Sequence, residues 1–131
     1  MDRLKLKAID LEDLSVMSAC LQDAAVQSSD IIWQPSGKRF GFIGQRYRWE
    51  DKTARTRINC RFWIDGVNAV QHRAADAAAA LDLLAITPDD TSLLLHFAGG
   101  EAIKLSTGGN WRAYLEDFGP QWPCDKCPEH R

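Results

Sequence analysis

One stretch limits the fold more than any other. Between Arg57 and Ile64, the side chains of Ile58, Cys60, Phe62 and Ile64 alternate with those of Arg57, Asn59, Arg61 and Trp63. Successive side chains leave a β-strand on opposite faces, so this period of two describes a strand with one apolar and one polar side. Much of the chain follows the same grammar. Leu4, Leu6 and Ala8 alternate with Lys5 and Lys7 as a short strand. Ile31-Ile32-Trp33 leads through Pro35-Ser36-Gly37-Lys38, a turn sequence, into a long β segment from Arg39 to Trp49, which makes a hairpin. Glu50 to Ala54 is a polar loop. After the central strand, Asp65-Gly66 either closes a two-residue hairpin or forms a bulge within one bent strand, and Val67 to His72 is again β. Ala74 to Ala80 is an alanine-rich connector with room for a helical turn or more. Leu81 to Ile86 reads as a strand, Thr87-Pro88-Asp89-Asp90 as a turn, and Leu93 to Phe97 with Ala102 to Ser106 as a second hairpin around Ala98-Gly99-Gly100-Glu101.

Two segments carry helical spacing instead. Asp10 stands at an N-cap position, and Leu14, Met17, Leu21 and Ala24 or Ala25 recur behind it, predicting an amphipathic helix over 11–26. Trp111, Tyr114, Leu115 and Phe118 occupy i, i+3, i+4 and i+7 behind Asn110, with Gly119-Pro120 as a stop. That second helix has a bulky face suited to closing the open end of a sheet. The expected class is α+β: a strongly bent antiparallel β-roll or partly open barrel with an N-terminal amphipathic helix and a C-terminal capping helix. This is the order of elements of a pleckstrin-homology-like barrel near its end. Residues 1–120 are expected to form the single domain and 121–131 an irregular Cys/Pro tail. A chain of 131 residues buries roughly two-thirds of the surface it exposes when unfolded, enough for a core without staples.

Composition narrows the setting. No stretch approaches the ~20 apolar residues that a membrane-spanning helix needs, and the charged start Met1-Asp2-Arg3-Leu4-Lys5 is unlike a secretory leader. Cys20 and Cys60 lie apart in apolar-patterned segments while Cys124 and Cys127 share the tail, which is no secreted disulfide framework and points to a reducing cytoplasm.

Charge is unevenly spread. Between Lys38 and Arg61 eight basic residues face two acidic ones, so that segment is +6 within a chain of net charge −2. Arg46 and Arg48 alternate with Tyr47 and Trp49, and Arg57 and Arg61 share a face with Trp63. Guanidiniums beside exposed aromatics suit a partner's side chains or an anionic ligand. A docking face of Arg46, Arg48, Trp49, Arg57, Arg61 and Trp63 for a protein partner is therefore the leading expectation, with nucleic acid the alternative for the same face.

The tail offers a second chemistry. Cys124, Cys127 and His130 could supply three ligands of a tetrahedral zinc site, although a lone CxxC lacks the second knuckle that completes such patterns. No other cofactor is indicated. Pro128 after the second cysteine excludes the haem-attachment pattern. Nucleotide-binding, nucleophile-elbow and HExxH motifs are absent, and His72 and His96 stand without an evident nucleophile, so catalysis is not the favoured reading.

Several stretches, taken together, resemble a small bacterial family described only as a domain of unknown function. They are Leu4 to Leu14, Leu21-Gln22-Asp23-Ala24, Lys38-Arg39-Phe40, Arg48-Trp49-Glu50, Leu83-Leu84-Ala85-Ile86, His96 to Gly100 with Ala102-Ile103, and Asp117 to Trp122. The resemblance implies a cytoplasmic single-domain protein and brings no activity, cofactor or catalytic residue with it.

Overall fold

The computed structural model describes residues 3–73 and 80–124. Its elements are β1 (Lys5–Ala8), α1 (Leu11–Cys20), β2 (Ala24–Gln34), β3 (Arg39–Tyr47), β4 (Thr56–Asp65), β5 (Ala69–Arg73), β6 (Ala80–Asp89), β7 (Ser92–Phe97), β8 (Ala102–Ser106) and β9 (Arg112–Pro123). All nine strands join one antiparallel sheet in the order β1-β9-β4-β3-β2-β6-β7-β8-β5. The sheet is open, with β1 and β5 as its edges and no ladder between them.

The expected C-terminal capping helix is not formed. Residues 112–123 are instead β9, the longest strand, which pairs with β1 on one side and β4 on the other. Ala113, Leu115 and Asp117 point into the core and Arg112, Tyr114, Glu116 and Phe118 away from it, a period of two. The helical spacing of the four bulky residues misled because the true inward set holds a small residue and a charge. Aromatic residues favour a pleated surface, and two flanking ladders satisfy the backbone of this segment on both sides. Gly119 (φ 73°) does not stop the strand; it sits where the β4–β9 register shifts, and pairing resumes at Arg57 opposite Trp122. The architecture is thus a β-sheet with one helix, not a roll between two helices, and the pleckstrin-like order of elements is lost with the cap.

The helix that does form is shorter than 11–26. Asp10 caps it, its side chain accepting from the Asp13 backbone N–H at 2.8 Å, and Leu14, Met17 and Leu21 enter the core. Asp23 (φ 63°) then turns the chain, and Ala24 and Val26 begin the inward alternation of β2.

Asp65-Gly66 is neither a hairpin nor a bulge. Gly66 (φ 92°) and Val67 donate their N–H groups to the Lys38 carbonyl, and the chain crosses to the far edge strand β5, where Asn68 N–H meets the Ser106 carbonyl at 2.7 Å. This crossing shows that the sheet is bent. Six inter-strand steps separate β4 from β5, about 29 Å in a flat sheet, whereas the four Cα–Cα steps from Asp65 to Ala69 reach at most about 15 Å. The sheet therefore doubles back, and its inner face closes around one core: Leu14 and Met17 of α1, Phe40 and Phe42 of β3, Phe62 of β4, Leu95 of β7, Ile103 of β8 and Leu115 of β9. Most of the alanine-rich connector, 74–79, lies outside the described residues, and Ala80 opens β6. None of the helices among the described residues is long and apolar enough to cross a membrane.

Candidate functional site

Bending the sheet leaves one broad outer face on β1, β9, β4 and β3. The strand registers set its rows. Lys7, Tyr114, Trp63, Gly41 and Ile32 form one row, and Lys5, Glu116, Arg61 and Ile43 the next. Arg112, Asp65, Arg39 and Gln34 lie beyond the first, and Arg57 stands further along β4. Six cations (Lys5, Lys7, Arg39, Arg57, Arg61, Arg112) thus share a face with three carboxylates, Asp65, Glu116 and, on β2 beside Ile43 and Asn59, Asp30.

The aromatic groups on this face are organised. Trp63 stacks on Tyr114 with centroids 5.0 Å apart and planes 17° from parallel. Lys7 stands 5.9 Å over Tyr114, Arg39 5.9 Å over Trp63, and Arg61 4.2 Å over Phe118. Arg39 binds Asp65 through two hydrogen bonds, of 2.6 and 3.0 Å, and Arg61 reaches Glu116 at 3.3 Å. Lys5, Lys7 and Arg112 have no ion pair among the described residues. Such exposed pairs stabilise little, typically under about 1 kcal/mol, so the arginines remain available to a partner.

Of the residues expected to form this surface, Arg57, Arg61 and Trp63 are on it and Arg46 and Arg48 are not. The inward set of β3 runs Phe40, Phe42, Gly44, Arg46, and the Arg46 side chain is 0% exposed. It is the centre of a buried clamp. Nε and Nη2 donate to the two oxygens of Asp117, both at 2.7 Å, while Nη1 and Nη2 donate to Glu50 at 2.9 and 2.6 Å. Asp117 also accepts the Leu4 N–H at 2.8 Å and returns its own N–H to the Leu4 carbonyl at 2.9 Å, so the clamp fixes the entry to β1. Burial opposes the guanidinium charge, but the hydrogen bonds to Asp117 and Glu50 outweigh it and raise the Arg46 pKa above its ordinary value. Burial likewise pushes Glu50 upward, and its bonds with Arg46 reverse this to a net lowering.

Arg48 is buried beside the clamp, donating to Thr56 Oγ1 at 3.1 Å and to Gln121 Oε1. Trp49 is half-buried, edge-on to Tyr47, and its indole N–H donates to the Gln22 carbonyl at 2.9 Å. Arg57 donates to the carbonyls of Gln45 and Asp23 at 3.1 and 3.4 Å, which ties its head to the backbone. The face also includes Lys7, Tyr114, Arg112 and Phe118, which the sequence reading had missed. Three of them belong to the segment taken for a helix, and their period of two was the available signal.

The remaining candidates lie elsewhere. Cys127 and His130 fall outside the described residues, and Cys124 donates its N–H to the Arg55 carbonyl. Among the described residues no group of three metal-ligating side chains is brought together. A hollow of about 520 Å³ on the second half of the sheet gathers His72, His96, Asp89 and Lys104. There, however, His96 Nε2 is bonded to Thr87 Oγ1 at 2.7 Å and Lys104 lies 3.8 Å from Asp89. Neither histidine is bonded to a carboxylate among the described residues.

Cys60 lies on the inner face of β4, where desolvation pushes its thiol up to about 12. Since the thiolate is the reactive form, Cys60 should stay unmodified by iodoacetamide at pH 8 in the folded protein and react once urea unfolds it. Peptide mass spectrometry reads this directly, and rapid native labelling of Cys60 would contradict the inward orientation of β4.

No curated protein and no solved structure matches the chain. A family model described as a protein of unknown function, DUF2948, matches residues 4–130, a span that contains the stretches from Leu4 to Trp122 that resemble such a family, and the chain belongs to the DUF2948 family.

Proposed function

We propose that this domain is a non-enzymatic binding module that docks an acidic protein segment on the outer face of β1, β9, β4 and β3. The observation that carries the reading is the charge of that face, six cations against three carboxylates in a chain that is acidic as a whole. Complementary potential raises encounter rates and selects partners of opposite charge.

The aromatic groups favour a protein over nucleic acid. Single-stranded nucleic acid binds by stacking bases on open aromatic faces. Here Trp63 and Tyr114 cover one another, Arg39 and Lys7 stand over them, and Arg61 covers Phe118. Rigid aromatics edged by arginine match the composition of protein-docking centres.

The test is charge reversal at the two cations free of ion pairs that flank the aromatic stack. In Lys7→Glu/Arg112→Glu protein, fluorescence anisotropy should show affinity for a labelled glutamate-rich peptide falling at least about tenfold. Stability should stay within about 0.5 kcal/mol, as for surface substitutions. Unchanged affinity would contradict the assignment of the face. Tighter binding to a single-stranded oligonucleotide than to the peptide would replace the protein partner with nucleic acid.

A further inference from the structure

We infer that a notch over Gly41 is the anchor subsite of this face, and that it accepts one apolar side chain of an extended peptide patterned acid-x-apolar-x-acid. The inference rests on the face being the docking surface.

Gly41 occupies an outward position in the middle of β3, opposite Trp63 on one side and Ile32 on the other. A Cβ there would lie 2.6 Å from the Phe62 carbonyl oxygen and 2.9 Å from Trp63 Cβ, so this position admits no side chain. The Trp63 ring stacks on Tyr114 of β9, and Gly41 itself is buried at the floor of the gap. The result is a depression of about 340 Å³ walled by Ile32, Ile43 and Trp63. Ile32 and Ile43 are 51% and 40% exposed, large apolar groups left open to water in an otherwise charged surface. The depression lies near the small end of ligand sites, which begin at roughly 300 Å³, and suits one side chain better than a cofactor.

Charge fixes the flanks of the occupant. Arg39 and Arg61 border the notch one row to either side of Gly41. Arg39 uses only Nε and Nη2 on Asp65, and Arg61 only Nη1 on Glu116. A guanidinium has five N–H donors, so each retains donors for a second carboxylate. Rows on one face of a sheet are two residues apart, about 6.7 Å along the strand. An extended peptide repeats on one face with the same spacing, so an apolar residue in the notch places the residues two before and two after it beside the arginines.

The experiment compares Glu-Ser-Glu-Ser-Phe-Ser-Glu-Ser-Glu with the same peptide carrying alanine in place of phenylalanine, by anisotropy at constant ionic strength. The phenylalanine peptide should bind at least about tenfold tighter, the low end for burying a large apolar side chain. Ile32→Ser and Ile43→Ser, both at exposed positions, should erase that advantage, so that each variant binds the phenylalanine and alanine peptides equally. Equal affinities of the two peptides for the wild-type protein would overturn the notch while the docking face stands. No binding of either peptide would overturn the face and the notch together. A concentration-dependent increase in mass that Ile32→Ser abolishes would make a second copy of the chain the occupant and overturn the peptide assignment.

Discussion

Replacing Arg46 by methionine should lower the unfolding free energy by about 3–5 kcal/mol, the cost of leaving a buried charge without its partner. Asp117 would then be a carboxylate with no counter-charge in the core, and its side chain is 0% exposed in the native fold. Urea denaturation at neutral pH measures the loss. Adding Asp117→Asn to Arg46→Met removes the stranded charge while leaving an oxygen to accept the Leu4 N–H, so the double variant should recover part of it. A single variant as stable as wild type would show that Arg46 is not clamped as described. The same clamp sets an acid limit. Glu50 is held below the ordinary carboxyl range, so its contribution is present above its unfolded pKa and is lost as the pH falls below that range and through the lowered folded value. Stability of wild type should therefore decline there more steeply than that of Glu50→Gln.

Gly66→Ala is the second large effect. The residue has φ 92°, and a Cβ on it would stand 2.2 Å from the Asn110 carbonyl oxygen. The backbone term alone costs roughly 1–2 kcal/mol for a side chain in the left-handed region, and here the obstructing atom is main chain that cannot rotate away. The position is also where β4 releases the chain toward β5 and where the β8–β9 connection passes, so relief of the clash must move both crossings that bend the sheet. A loss of about 3 kcal/mol or more is expected by thermal or urea unfolding, against only the backbone term of roughly 1–2 kcal/mol for Gly99→Ala, which shares a positive φ of 85° but has open space around it. Equal effects at the two glycines would show that backbone conformation, not the crossing, decides.

The sequence was most readable where inward positions were uniformly apolar. In β4 the run Ile58, Cys60, Phe62, Ile64 left one assignment, and Arg57, Arg61 and Trp63 could be placed outward from it. Where the core accepts a charge, that guide fails. Asp117 on the inner face of β9 broke the apolar series after Leu115, and the aromatics outside it imitated a helix. Arg46 was misjudged for the same reason, as a cation taken for surface, although Phe40, Phe42 and Gly44 share its parity. The two errors have one cause, since Arg46 and Asp117 neutralise each other and neither explains itself alone. Strand order was not readable either. The departure of the chain at Gly66 to the far edge of the sheet depends on hydrogen bonds to Lys38 and Ser106 that no local pattern announces.

The docking face is tested most directly by where a bound acidic peptide perturbs the protein. Titration of ¹⁵N-labelled protein with the phenylalanine-centred peptide should shift the Trp63 indole signal and the amides of Gly41, Arg61 and Tyr114, leaving those of β7 and β8 in place. Shifts confined to β6, β7 and β8, or no shifts at all, would contradict the assignment of the β1-β9-β4-β3 face as the binding surface.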